Sequence, residues 1–240
     1  VGKLNEITKL DLRTTKNMIE LTQNYNCFVS FSSSLKMLAI DLFRISNNLS
    51  IMNSGPKGGI SEIILPDVEP GSSIMPGKIN PSIPECVIMV CFDVMGKDKT
   101  AELAVQYSIL ELNVMCPVIA YNTLQSMKLL TNTLKMFREL CIDGIQANEE
   151  RCSELLHNST AISTLLNPYL GYQAVSKIVK ESLKNNLTIK EIILKYKLID
   201  ETDLNKILSP EEMTKPQEID LRLIEKIKNS QNYRKFLENL

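Results

Sequence analysis

Along the first half of the chain, apolar residues recur at alternating spacings of three and four. Phe28, Phe31, Leu35, Leu38, Leu42, Ile45, Leu49 and Met52 form an unbroken heptad seam. That spacing predicts one helix over 28–52. At 1.5 Å per residue it would be about 37 Å long, a length that calls for packing in a bundle or against another subunit. Asn53-Ser54-Gly55-Pro56 is a strong stop. A second helix is expected to start after Pro84 and run towards Leu112. Its opening turns, Cys86 to Phe92, are apolar on every side, which predicts burial all round. Gly96 and Lys97-Asp98-Lys99 mark the place for a kink. A third helix is expected to open at Pro117, a favourable first-turn residue. It carries Ala120, Leu124, Met127, Thr131 and Leu134 at heptad spacing and ends before Gly144.

Beyond Asn148 the elements shorten. Thr188-Ile-Lys-Glu191 and Ser209-Pro-Glu-Glu212 read as capping boxes, each opening a short helix. No strand pattern of any length is present, and Ile60–Leu65 is the sole short candidate. The fold class is therefore all-α: a long-helix bundle over 1–147, then a small C-terminal helical domain over 148–216. Residues 217–240 are expected to form one amphipathic tail helix that docks or frays.

Composition narrows the function. Formal charge is −1 and aromatic content is 5% with no Trp, which argues against nucleic-acid binding by a basic field or a stacking platform. No apolar run approaches the roughly 20 residues of a membrane span. Nothing at the N-terminus resembles a signal peptide. The six cysteines form no C-x-x-C pair and there is one histidine, His157, so zinc spacing is absent. Most of the cysteines fall in apolar stretches and are read as small, reduced core residues, which points to a cytoplasmic protein. His157 is read as structural, and Lys57 as solvated.

One segment stands apart. The connection from Gly71 to Glu85 runs Gly71-Ser72-Ser73-Ile74-Met75-Pro76-Gly77-Lys78-Ile79-Asn80-Pro81-Ser82-Ile83-Pro84-Glu85. A simple tether between helices needs no such density of Gly, Pro and Ser. Gly71 and Gly77 allow positive φ or close approach to a ligand, as hinges of the loop. The prolines stiffen the path. Serine hydroxyls, successive amides and the Lys78 ammonium offer an anion its donors. From residue types alone two readings stay open: an anion-binding loop with a catalytic serine, or a rigid turn with a solvated lysine.

The segment resembles the signature of the fumarase/aspartase superfamily, G-S-S-x-M-P-x-K-x-N-P, at every fixed position. Pro76-Gly77-Lys78-Ile79-Asn80 resembles the fumarase and aspartase branches. Thr22-Gln23-Asn24, Met115, Leu166-Asn167-Pro168-Tyr169-Leu170-Gly171-Tyr172 and Glu212-Met213-Thr214-Lys215-Pro216 resemble aspartase more closely. The likeness covers about residues 4–216. Cys116 and Lys97-Asp98-Lys99 depart from the family's usual residues.

This resemblance implies that the bundle is part of the family's five-helix central domain. The activity it implies is reversible deamination of L-aspartate to fumarate and ammonia through an aci-carboxylate, with class II fumarase chemistry as the alternative. Ser72 would be the general base, and Lys78 would supply positive charge to the base and the substrate. Asn80 would donate to a substrate carboxylate, with Ser73, Ile74 and Met75 adding contacts. Glu85 would orient a histidine from another part of the site; a plain helix-capping role is the other reading of it. No metal or organic cofactor is implied. Family subunits are roughly twice this long and form homotetramers with shared active sites. The chain is therefore expected to be the C-terminal half, inactive alone. A second reading makes it an inactive structural piece that only assembles by helix bundling.

Overall fold

The computed structural model describes residues 1–216 and 219–238. Gln217, Glu218, Asn239 and Leu240, the first and last positions of the expected tail, lie outside the described residues. Those described form thirteen α-helices and one two-stranded ribbon, in two compact units, Val1–Asn148 and Glu149–Leu240.

In the first unit, α1 (Gly2–Thr8) and α2 (Met18–Gln23) precede the long helix α3 (Asn26–Met52). The Asn17 side chain caps α2 by accepting from the Glu20 amide. α3 ends where the sequence stops it. The Asn53 amide donates to Leu49 O, and Ser54 Oγ donates to Ile51 O. The chain then passes through β1 (Ile63–Ile64) and the loop to α4 (Ser82–Gln106), turns into α5 (Cys116–Leu140), and ends at β2 (Gln146–Ala147). β1 pairs antiparallel with β2, Ile63 opposite Ala147 and Ile64 opposite Gln146.

α4 packs between α3 and α5. The core between them holds Ala39, Leu42, Val87, Cys91, Val94, Leu130, Phe137 and Cys141. Asn113 joins the two later helices: its Nδ2 donates to Ala104 O and Val105 O, and its Oδ1 accepts from the Met115 amide. One side chain thus satisfies carbonyls at the end of α4 and an amide at the start of α5.

Several expectations need correction. α4 begins at Ser82, two residues ahead of Pro84, because a proline in the first turn removes no intrahelical bond. It stops at Gln106, short of Leu112, and is continuous through Gly96. Its opening turns are not buried all round: Met89 is 63% and Phe92 57% exposed. The heptad seams also face partly outward, although Leu42 is buried and Leu35 and Leu49 pack against the core. On α3 the buried positions are Ser32, Ala39, Leu42 and Ser46, while Phe28, Phe31, Leu38 and Ile45 are exposed. On α5 the buried positions are Ile119, Thr123, Ser126, Leu130, Thr133 and Phe137, while Leu124, Met127, Thr131 and Leu134 are exposed. Within this unit small and hydroxyl-bearing residues share the helix contacts with Leu42, Val87, Leu130 and Phe137, and several larger apolar residues of the seams stay uncovered. The cysteines are mixed rather than mostly core: Cys91 and Cys141 are buried, Cys86 and Cys152 half-buried, Cys27 and Cys116 exposed, all as free thiols.

The polar run at the centre of α4 contributes to the interior. Asp98 is buried, and Lys36 Nζ of α3 reaches its Oδ2 at 2.5 Å. Ser33 Oγ donates to the other carboxylate oxygen at 3.4 Å. A buried carboxylate needs such partners.

The second unit is built from short capped helices: α6 (Glu149–Asn158), α7 (Asn167–Leu170), α8 (Tyr172–Asn185), α9 (Ile189–Lys195), α10 (Glu201–Ile207), α11 (Pro210–Met213), α12 (Leu221–Asn229) and α13 (Gln231–Glu238). Thr188 and Glu191 make the full reciprocal capping box on α9. On α11 the Ser209 side chain accepts from the Glu212 amide. The unit's core runs through Leu166, Leu170, Ile178, Ile192, Ile193 and Leu204. Residues 221–238 form two helices where one was expected. Ile227, Tyr233 and Phe236 belong to that core, and Tyr233 Oη donates to Leu170 O at 2.6 Å. Among the described residues, no helix is long and apolar enough to cross a membrane.

Candidate active site

The segment between β1 and α4 folds back on itself at a narrow neck. Asn80 Nδ2 donates to Gly71 O at 2.8 Å. At that crossing a Cβ on Gly71 would lie 2.0 Å from Lys78 O, so only glycine fits there. Gly77 has φ +76°, a left-handed conformation that closes the tip. Outside the neck, Ser82 Oγ donates to Glu69 Oε1 and ties the incoming strand to the first turn of α4. Nothing in the sequence pattern marked Glu69, which lies just ahead of the Gly71 signature.

Inside the loop, Ser72 Oγ accepts hydrogen bonds from the amides of both Ile74 and Met75, each at 3.1 Å. Such a bond pattern closes a local turn. It also surrounds the hydroxyl oxygen with two fixed donors, which favour negative charge on that atom. The Lys78 amide donates to Met75 O at 3.3 Å, completing the tip. Ile74 is 85% exposed, and the Ser73, Met75, Lys78 and Ile79 side chains are also exposed.

Gly71, Ser72, Met75, Gly77 and Lys78 line an open cleft of about 550 Å³. Its other wall carries Asp67 and Glu69. The lining therefore has one ammonium against two carboxylates. A dianion gains little from that balance alone, so the cations that would hold a dicarboxylate must come from elsewhere.

The sequence-predicted residues divide accordingly. Ser72, Met75, Lys78, Gly71 and Gly77 come together in the cleft. Asn80 is used at the neck, where one of its two amide hydrogens is committed. The Ile74 and Met75 amides turn onto Ser72 instead of outward. Glu85 is exposed in the first turn of α4, where a carboxylate suits the helix dipole. His157 lies in α6, exposed, with Nδ1 2.7 Å from Ser153 O. No group of three or more His, Cys, Asp or Glu side chains positioned to hold a metal ion is found among the described residues.

The family described as "Lyase" matches residues 1–96, and "Fumarase C C-terminus" matches 162–215. The chain belongs to the fumarase/aspartase family of lyases. It is similar to an aspartate ammonia-lyase of Pseudomonas aeruginosa, 46% identical over 222 residues that cover 92% of this chain and 47% of that protein. Among solved structures it resembles a Brucella melitensis fumarate lyase:delta crystallin, with TM-score 0.84 and 40% identity over 90% of this chain and 46% of that one. It also resembles a class II fumarase from Schistosoma mansoni, with TM-score 0.79 and 32% identity over 90% and 48%. The chain spans about half the length of the curated relatives it matches.

Proposed function

We propose that this chain carries the catalytic-loop region of an aspartate ammonia-lyase, acting on L-aspartate and fumarate in a complete assembly. The observation that supports this best is the pair of backbone amides on Ser72 Oγ. A serine is a poor base unless its alkoxide is stabilised. Two amides and the Lys78 charge supply that stabilisation once the complete assembly closes the site to water. The alkoxide takes a proton from the carbon beside a substrate carboxylate. The electron pair passes into that carboxylate as a dianionic aci-carboxylate. Its collapse forms the double bond of fumarate as the C–N bond breaks. An amine that enters protonated leaves as neutral ammonia and needs no further proton. Lys78 faces the developing charge, and the second amide hydrogen of Asn80 reaches towards a carboxylate. Glu85 positions a group from another subunit or segment.

The two-to-one excess of carboxylates in the cleft supports a site completed from outside this chain, as in the shared sites of a homotetramer. The outward apolar seams of α3 and α5 supply a surface for such bundling.

A chimera tests the reading. The chain replaces the matching 222 residues of the Pseudomonas relative, and fumarate is followed by its ultraviolet absorbance with aspartate or malate as substrate. Turnover of aspartate is expected, reduced by about 10²–10⁴-fold in Ser72→Ala. The chain alone should be inert. Full activity in Ser72→Ala would end the proposal, and faster turnover of malate would favour a class II fumarase instead.

A further inference from the structure

Three ties hold the loop shut along its length. At the tip, Met75 O accepts from the Lys78 amide, and at the neck Gly71 O accepts from Asn80 Nδ2. Below the neck, Glu69 Oε1 accepts from Ser82 Oγ. The two upper ties join neutral groups. The lowest has a carboxylate as its acceptor, and hydrogen bonds of that kind are the stronger sort.

The two arms joined by this lowest tie are unlike. On the incoming side the chain is anchored as far as Leu65 and Pro66. Leu65 is buried, and its amide donates to Asn53 Oδ1 at 3.0 Å. The Pro66 ring lies against Gly144, where a Cβ would stand 2.6 Å from Pro66 Cγ. From Asp67 to Pro70 every residue is exposed. Among the described residues, the bond from Ser82 is the one hydrogen bond these four positions make. On the outgoing side, Ser82 opens the 25-residue helix α4 two positions ahead of buried Pro84. The tie therefore fastens an unsupported stretch of chain to the end of a rigid element. A carboxylate beside the first turn of a long helix is also favoured by the helix dipole.

Ser72 lies three residues beyond Glu69. The bonds its hydroxyl accepts, from the Ile74 and Met75 amides, stay within the loop. They shape the turn but do not fix it against α4. That placement comes from the neck and from the arm that precedes it. Displacing a reacting group by about 1 Å costs about a hundredfold in rate.

We propose that Glu69 is a positioning residue. Through Ser82 it fixes the arm that carries Ser72, and so sets where the base stands against the substrate. This role rests on the lyase reading of the loop. It needs an acceptor at position 69 and a hydroxyl at position 82, and no contact between the Glu69 charge and the substrate.

Glu69→Ala, Ser82→Ala, their double variant and Glu69→Gln test this, in the whole chain and in the chimera with the Pseudomonas relative. In the whole chain, tryptic cleavage after Lys78 should speed about tenfold in each Ala variant, the low end for a bond to a charged group. The double variant should be no faster than either, because all three lose the same bond. In the chimera, kcat for aspartate should fall about tenfold to a hundredfold in the Ala variants, with KM within about threefold. Glu69→Gln keeps an acceptor for Ser82 Oγ and should recover most of that loss. Wild-type cleavage in either Ala variant would overturn the proposal, as would additive effects in the double variant or an unchanged kcat. A Glu69→Gln chimera as impaired as Glu69→Ala, with a raised KM, would put the carboxylate on the substrate and end the positioning role. An unaltered chimera inert towards both aspartate and malate would remove the lyase reading and the role in turnover with it. Accelerated cleavage in the whole chain would then show that the tie itself stands, so the two failures are distinguishable.

Discussion

Gly71→Ala isolates the neck of the loop. The new methyl would stand 2.0 Å from Lys78 O, a backbone oxygen that cannot swing aside as a side chain would. The strands of the neck must separate. The Asn80–Gly71 bond and the Lys78–Met75 turn bond are then lost. Each is worth about 1 kcal/mol net, so closing the loop becomes about 2 kcal/mol less favourable. That corresponds to about thirtyfold in the opening equilibrium. The bundle core does not include these residues, so global melting should hold. Limited trypsinolysis reads the difference, because Lys78 sits at the exposed tip and cleavage of a locally opened segment tracks its open population. Appearance of the 1–78 and 79–240 pieces should accelerate about thirtyfold while the melting temperature stays within a degree or two. Cleavage at the wild-type rate would refute the claim that the neck controls the loop. Asn80→Ala, which removes one bond without a clash, should fall between the two.

Other parts of the fold make equally direct predictions. Lys36→Met strands the buried Asp98 carboxylate and should cost about 3 kcal/mol in urea unfolding, most of it recovered when Asp98→Leu is added. Phe236→Ala should cost about 3–5 kcal/mol in the second unit, seen as earlier loss of its helical signal, since Phe236 is in that core. Lys226 and the Asp203 amide hold the Asp200 carboxyl below its ordinary value. Its contribution is present above the ordinary carboxylate range and is lost as pH falls through the depressed folded value. Lys226→Met should therefore flatten the acid limb of the stability curve of the second unit without changing its alkaline limb near pH 8.

The sequence carried the long helices because heptad periodicity and strong stops are local signals. α3 begins two residues from the first seam residue and ends at its last. What periodicity does not say is which face a helix gives to its neighbours. The seams of α3 and α5 were legible as stripes, yet α3 keeps only Leu42 of its seam fully buried, and the unit adds the neighbouring positions Ser32, Ala39, Ser46, Thr123 and Ser126. Small residues let helices approach closely, and their contribution leaves almost no hydrophobic signal. The loop was legible because its chemistry is compressed into one short motif. The amides on Ser72 were not, since backbone direction within a turn depends on the whole path. Glu69 and Asp67 were missed for a similar reason: they reach the cleft by folding back from outside the motif. The tail misled because its apolar positions, read as one helix, are divided by Ser230 into α12 and α13.

The ribbon of β1 and β2 also imposes an order of events. It pairs residues 63–64 with 146–147, and Asn148 adds bonds to Ser61 O and Glu62 O. Everything between, the loop and two long helices, is one closed excursion. Closing so long a span costs entropy that two residue pairs do not recover by themselves, so the ribbon forms after α4 and α5 have packed. The Gly71–Glu85 loop is therefore among the last parts of its unit to take shape. Hydrogen exchange at Ile64 should report that late step, as the first protection lost when the folded chain begins to open.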